Sequence, residues 1–162
     1  MIALVVALAV AASAARAVAV LPVAAHVTDL PYAPLPSPVE LDGLTATLAH
    51  DLRARHVALV DGAAVARAVR RAGFDQHDPQ HACLEARCAR RIGALLGARS
   101  VVVSSTTREM AMIWATDALV VDVASGRSQP LLQAGYKGDY TTMQVGLDEL
   151  AGALASRLRA RR

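Results

Sequence analysis

The densest run of soft-donor chemistry in the chain is His77, His81, Cys83 and Cys88, four residues spaced H-x3-H-x-C-x4-C. Imidazole nitrogen and thiolate sulfur are the donors that zinc and copper prefer, so this quartet is the candidate metal site. Its spacing matches none of the common zinc signatures. Asp78 and Pro79 also read as a helix start that leaves both rings in solvent. The thiols have a competing use, because Cys83 and Cys88 are the only two cysteines. Inside a regular helix a separation of five turns them about 140° apart, too far for a bond. With Cys83 in an entry loop ahead of the helix a disulfide becomes feasible. In an oxidising compartment it is expected, stabilising by about 2 kcal/mol through so short a loop. The spacing does not suit a dithiol redox centre, which uses C-x-x-C at a helix start.

Elsewhere the familiar catalytic patterns are missing: no G-x-S-x-G, no H-E-x-x-H, no phosphate loop and no G-x-G-x-x-G after a strand. Asp29, Asp61 and Asp117 are the carboxylates left to consider for acid–base work, and such a pair is defined by geometry rather than spacing. The chain therefore reads as non-catalytic and without a cofactor. His26, His50 and His56 are scattered and read as surface residues. A contact surface is suggested instead by the passage from Ala24 to Glu40. Its prolines, Pro31, Pro34, Pro36 and Pro38, with Tyr32 among them, are spaced so that neither helix nor central strand persists. Long loops without internal structure usually bind something or move.

A length of 162 residues suits one domain. The hydrophobic fraction is 54% but aromatics are only 3%, so the core is expected to be built from Val, Leu and Ala. The formal charge is +3 and the pI is near 9.3; Lys137 is the only lysine. Arginines this scattered in so alanine-rich a chain reflect composition, and a nucleic-acid partner is not expected. At the carboxyl end Arg157, Arg159, Arg161 and Arg162 complement a helix dipole. Residues 1–14 (MIALVVALAVAASA) form a short apolar run closed by Ala12, Ser13 and Ala14. That is a cleavable signal peptide pattern, cut after about Ala14, and the run is too short for a membrane span. The expected organisation is thus a leader over residues 1–14 and a single domain over 15–162, exported to the periplasm.

The elements that must position these residues follow from periodicity. Ala17 to Val23 reads as a first strand, with Pro22 marking an edge or bulge. Leu41, Leu44, Leu48 and Leu52 give a helix with Asp42 as a possible cap, ending near His56. Val57 to Val60 is a short strand, and Ala63 to Ala72 a short helix with Val65 and Val69 inward. From Cys88, Ile92, Leu95 and Leu96 form the apolar stripe of a helix that Gly97 stops, with Arg87, Arg90 and Arg91 on the wet side. Strands over Ser100–Glu109, Met112–Val123 and Ser128–Lys137 make a meander, turned at Gly126. Ile113, Ala115, Leu119, Val121 and Val123 share one face of the middle strand and Trp114 takes the other. Met143, Leu147, Leu150, Leu154 and Leu158 line a closing helix opened by a Thr141/Gln144 capping box. The class is α/β (α+β): a mixed sheet of about five strands with helices packed on it, in the order βαβααβββα.

On AVAVLPV near the start, the C-x4-C before a helix ending in LLGARSVVV, VVDVASGR at the hairpin and GYKGD before the last helix, the chain resembles an uncharacterised bacterial family of predicted periplasmic proteins. Its fold looks similar to that of the periplasmic domain of the curli-secretion lipoprotein and the amino-terminal domain of TolB. The resemblance implies location and shape and assigns no catalytic residue. Some relatives are lipoproteins with a cysteine just after the leader; the first cysteine here is Cys83, so no lipid anchor is expected. The combined expectation is a non-catalytic envelope module that interacts with another envelope or secreted protein. The alternative is a small-ligand or metal-binding protein using His77 to Cys88.

Overall fold

A computed structural model describes residues 17–27, 34–109 and 113–160. The expected leader, Asp29, Pro31 and Tyr32 lie outside the described residues. The sheet is organised around β3 (Ser100–Glu109), whose opening valines are buried. Along one side of β3 run β1 (Val18–Val20) and β2 (Ala24–Ala25), both parallel to it. On its other side lies β4 (Ile113–Asp122), antiparallel, followed by β5 (Leu132–Lys137), also antiparallel. The first strand read from sequence is therefore split. Val18 aligns with Ser100 but Ala24 with Ser105, so the register slips by one residue across Leu21, Pro22 and Val23. The slip falls at Pro22 because proline has no N–H to give to the ladder.

Two other strand expectations shrink. Val57–Val60 contributes only one bridge, Leu59 to Val18, since few residues separate the preceding helix from the cap of the next. Ser128 likewise makes a single bridge to Val121 before Pro130, which cannot donate, and regular pairing resumes at Leu132. The hairpin turn itself is as read, with Gly126 at φ +70.

Four helices among the described residues cover the sheet. The first, α1 (Pro38–Ala54), begins earlier than Asp42 would place it. Ser37 is its N-cap and exchanges bonds with Glu40 in a capping box. Pro38 sits at the first helical position, where its missing N–H leaves nothing unpaired. The proline-rich loop is accordingly shorter than 24–40 at both ends: Ala24 and Ala25 are strand, and Pro38 starts a helix instead of preventing one. Then come α2 (Gly62–Arg71), capped by Asp61, and α3 (Ala86–Leu96), ended by Gly97 at φ +62. The last, α4 (Tyr140–Arg159), is capped by Asp139, whose carboxylate accepts from the Thr142 N–H, so the Thr141 capping box is not the one used.

Alternation along the strands assigns each helix pair a face. Val18, Val20, Val102, Trp114, Ala118 and Val120 meet the leucines of α1 and α4. Ala19, Leu21, Val101, Val103 and Val121 meet Val65 and Val69 of α2 and Ala89 and Ile92 of α3. The result is a three-layer α/β/α arrangement around a mixed five-stranded sheet, the expected class. Within α3 the inward row is Ala89, Ile92 and Gly93, while Leu95 is 47% exposed, contrary to its assignment to the stripe.

Candidate functional site

The loop between α2 and α3 holds the sequence-nominated chemistry. Cys83 precedes α3 and is joined to Cys88 by a disulfide, with a Cα–Cα distance of 5.7 Å. Glu85, at the N-cap position, makes no side-chain cap bond, so the crosslink ties down a helix entrance that no cap secures. Gln76 does the rest. It is only 3% exposed; its Nε2 donates to the Pro22 carbonyl at 3.0 Å, and its Oε1 accepts from the Cys83 N–H at 2.6 Å. One amide side chain thus fastens the loop both to the bulge in the first strand and to the crosslink. Sequence reasoning missed it, because a glutamine between Asp75 and His77 looks like solvated loop.

The four nominated metal donors are not assembled as a ligand set. Both sulfurs are bonded to each other and have no thiolate to offer. The histidines face different carboxylates: His77 Nε2 lies 2.9 Å from Asp42 Oδ1 on α1, and His81 Nδ1 lies 2.7 Å from Asp78 Oδ2. The His81 hydrogen bond, helped by the Gln80 N–H, holds the Asp78 carboxyl below its ordinary value. Among the described residues no group of three or more His, Cys, Asp or Glu side chains is placed to hold a metal ion. The nominated carboxylates are separated too. Asp61 caps α2, whereas Asp117 is in β4 opposite Ser105 and Gln133, on the far side of β3 from β1.

What the loop does form is one wall of a cleft of about 450 Å³. Pro22, Val69 and Phe74 give it an apolar lining, and Asp42, Arg70 and His77 add polar groups of both signs. Such a hollow suits a small, partly apolar molecule with a charged end.

At the same amino-terminal end of α1 that carries Asp42, the proline-rich segment divides. Pro34 is exposed, Pro36 is buried and Pro38 is helical. Its apolar neighbours stand in solvent: Val27 is 57% exposed, Leu35 50% and Val39 81%. The same end is anchored by an aromatic and ionic cluster that spacing did not reveal. The Arg108 guanidinium sits 5.2 Å from the centre of the buried Trp114 ring, and Tyr140 packs against that ring at 6.2 Å. The Tyr140 hydroxyl donates to the Glu40 carbonyl at 3.1 Å. Burial, and next the Glu40 charge, raise the Tyr140 phenol above its ordinary value.

No family model matches the chain, and no curated protein does. Solved structures do match. Its fold is similar to that of the LpoB C-terminal domain. Against that domain from Salmonella enterica the TM-score is 0.55 at 19% identity, over 75% of this chain and 83% of the other. Against lipoprotein GNA1162 from Neisseria meningitidis it is 0.57 at 16% identity, over 89% and 96%. Against E. coli LpoB it is 0.57 at 18% identity, over 76% of this chain but 57% of that protein. At these identities the likeness establishes a shared architecture. No helix among the described residues is long and apolar enough to cross a membrane.

Proposed function

We propose that this chain is an exported cell-envelope domain that works by docking to another envelope or secreted protein, without catalysis or a cofactor. The observation that carries the reading is the exposure of Val27 and Leu35 on the segment between β2 and α1 and of Val39 in the first turn of α1. Large apolar side chains left in solvent around the entry to α1 favour a protein partner over solvent. Export rests on the leader pattern over residues 1–14 and fits the lipoprotein named among the similar folds. A photo-crosslinking residue placed at Leu35 or Val39, with one at Arg53 on the same helix as control, tests the docking surface. Discrete protein adducts are expected at 35 and 39 alone; the same adducts at all three positions would remove the surface from consideration. Amino-terminal sequencing of the periplasmic form should begin at Ala15.

A second reading is favoured by the cleft beside His77. There the chain would bind a small molecule carrying an acidic group, held by Arg70, with the His77–Asp42 pair as a second polar contact. Thermal-shift screening against small organic acids separates the readings. Stabilisation that disappears in Arg70→Ala supports a ligand site, and an unchanged melting temperature across the set counts against it.

A further inference from the structure

The arginines that look scattered in sequence are segregated in space. The two helices of the α2/α3 layer carry Arg67, Arg70, Arg71, Arg87, Arg90 and Arg91, all exposed, and not one acidic residue. Their shared geometry explains this. In each helix the inward stripe is apolar, Val65, Ala68 and Val69 in one and Ala89, Ile92 and Gly93 in the other, and the arginines fall on the opposite side at 100° per residue. Among the described residues none of the six forms an ion pair with a carboxylate; Arg90 alone is engaged, donating to the Val123 and Ala124 carbonyls. The nearest acids in sequence lie just outside the two helices: Asp61 caps α2, and Asp75, Asp78 and Glu85 belong to the connecting loop. The opposite layer is mixed, with Glu40, Asp42, Asp51, Asp148 and Glu149 alongside Arg53, Arg157 and Arg159.

We infer that the α2/α3 face is a docking surface for anionic phospholipid. Charge complementarity gives the sign of the partner, since six unneutralised guanidiniums on one layer attract a surface of phosphodiesters. Leu95 selects lipid over nucleic acid. It is 47% exposed and continues the outward row Arg87, Arg91, Leu95 at i, i+4, i+8, where an apolar side chain among arginines can sink between headgroups. Single-stranded nucleic acid would instead call for aromatic side chains to stack on, and neither helix carries one.

The test is co-sedimentation of the protein purified from the periplasm, in the form that begins at Ala15, with vesicles of phosphatidylglycerol and phosphatidylcholine, and with pure phosphatidylcholine, at low and physiological salt. Binding should require phosphatidylglycerol and weaken with salt. Arg87→Glu/Arg91→Glu should reduce it roughly tenfold or more, because each basic residue near the surface contributes on the order of a fivefold factor. Arg53→Glu/Arg159→Glu makes the same change in net charge on the other layer and should leave most of it intact. Leu95→Ser should weaken vesicle binding with little change in fold, checked by circular dichroism. Equal loss in both charge-reversal pairs, binding to pure phosphatidylcholine as tight as to the mixture, or tighter binding to a DNA duplex than to the anionic vesicles would overturn the inference.

Discussion

Gly146 lies in the middle of α4, where glycine is ordinarily a weakness: replacing it with alanine should stabilise an exposed helix by about 1 kcal/mol. Here the sign is expected to reverse. The site is buried, and a Cβ at Gly146 would run into the ring of Tyr136 on β5. That ring cannot simply swing aside, because its hydroxyl donates to the Gly146 carbonyl and its backbone is paired with Trp114. Overpacking costs about 1–3 kcal/mol and a weakened hydrogen bond about 1 more. After the propensity gain, Gly146→Ala should lose about 1–3 kcal/mol. In a Tyr136→Ala background the obstruction is gone and the same substitution should gain about 1 kcal/mol, a coupling of about 2–4 kcal/mol between the two sites. Trp114 is the only tryptophan and is 1% exposed, so urea titrations followed by its fluorescence read all four corners of the cycle. A Gly146→Ala protein more stable than the parent would refute the argument.

Three further outcomes follow from single sites. His56 holds φ at +60 just past the end of α1, a region costly for a side-chain-bearing residue, so His56→Gly should raise stability by about 0.5–1 kcal/mol in the same titration. Cys83→Ser should cost about 1–3 kcal/mol and speed amide exchange mainly over residues 75–88, while the parent's intact mass stays two hydrogens below its reduced value. The Thr142 backbone N–H and hydroxyl hold the Asp139 carboxyl below its ordinary 3.8, so its contribution is present above that value and is lost as pH falls through the lower, folded one. Melting temperature should therefore drop less between pH 5 and pH 3 in Asp139→Asn than in the parent.

The parts of this fold that were legible in the sequence are those set by side-chain period and by glycine. Leu41, Leu44, Leu48 and Leu52 face inward as their spacing demands, and Gly97 and Gly126 turn the chain where a left-handed residue is needed. Ends were less legible, because a cap is a competition between neighbours. Ser37 with Glu40 outcompetes Asp42, and Asp139 outcompetes Thr141, each by placing an oxygen on a free N–H earlier in the chain. At the candidate site the crosslink could be reasoned from helix geometry, which puts Cys83 ahead of α3, together with the oxidising compartment that the leader pattern implies. The binding role of Gln76 could not, since it depends on the Pro22 carbonyl, 54 residues away. The arginines were visible individually, but their collection on one layer required knowing that α2 and α3 lie side by side on the same face.

The two layers are unequally built, and this explains where the crosslink falls. Against one face of the sheet α1 and α4 bury Leu41, Leu44, Leu48, Leu52, Met143, Leu147, Leu150, Leu154 and Leu158. Against the other, α2 and α3 offer Val65, Val69 and Ile92, with alanine and glycine filling the remaining inward positions. At roughly 1.5–3 kcal/mol for each large side chain buried, the second layer has far less holding it to the sheet. Gly93 in α3 also leaves no room for a larger residue, because any Cβ there would meet Val101 and Val123. With little area to bury, that layer is the one most prone to local opening. The disulfide and Gln76 both act at its loop, one fixing the entrance of α3 and the other tying that entrance to the first strand. The same economy of apolar side chains leaves the outer surface of the layer to arginine, so a thin core and a cationic face are two consequences of one pair of short amphipathic helices.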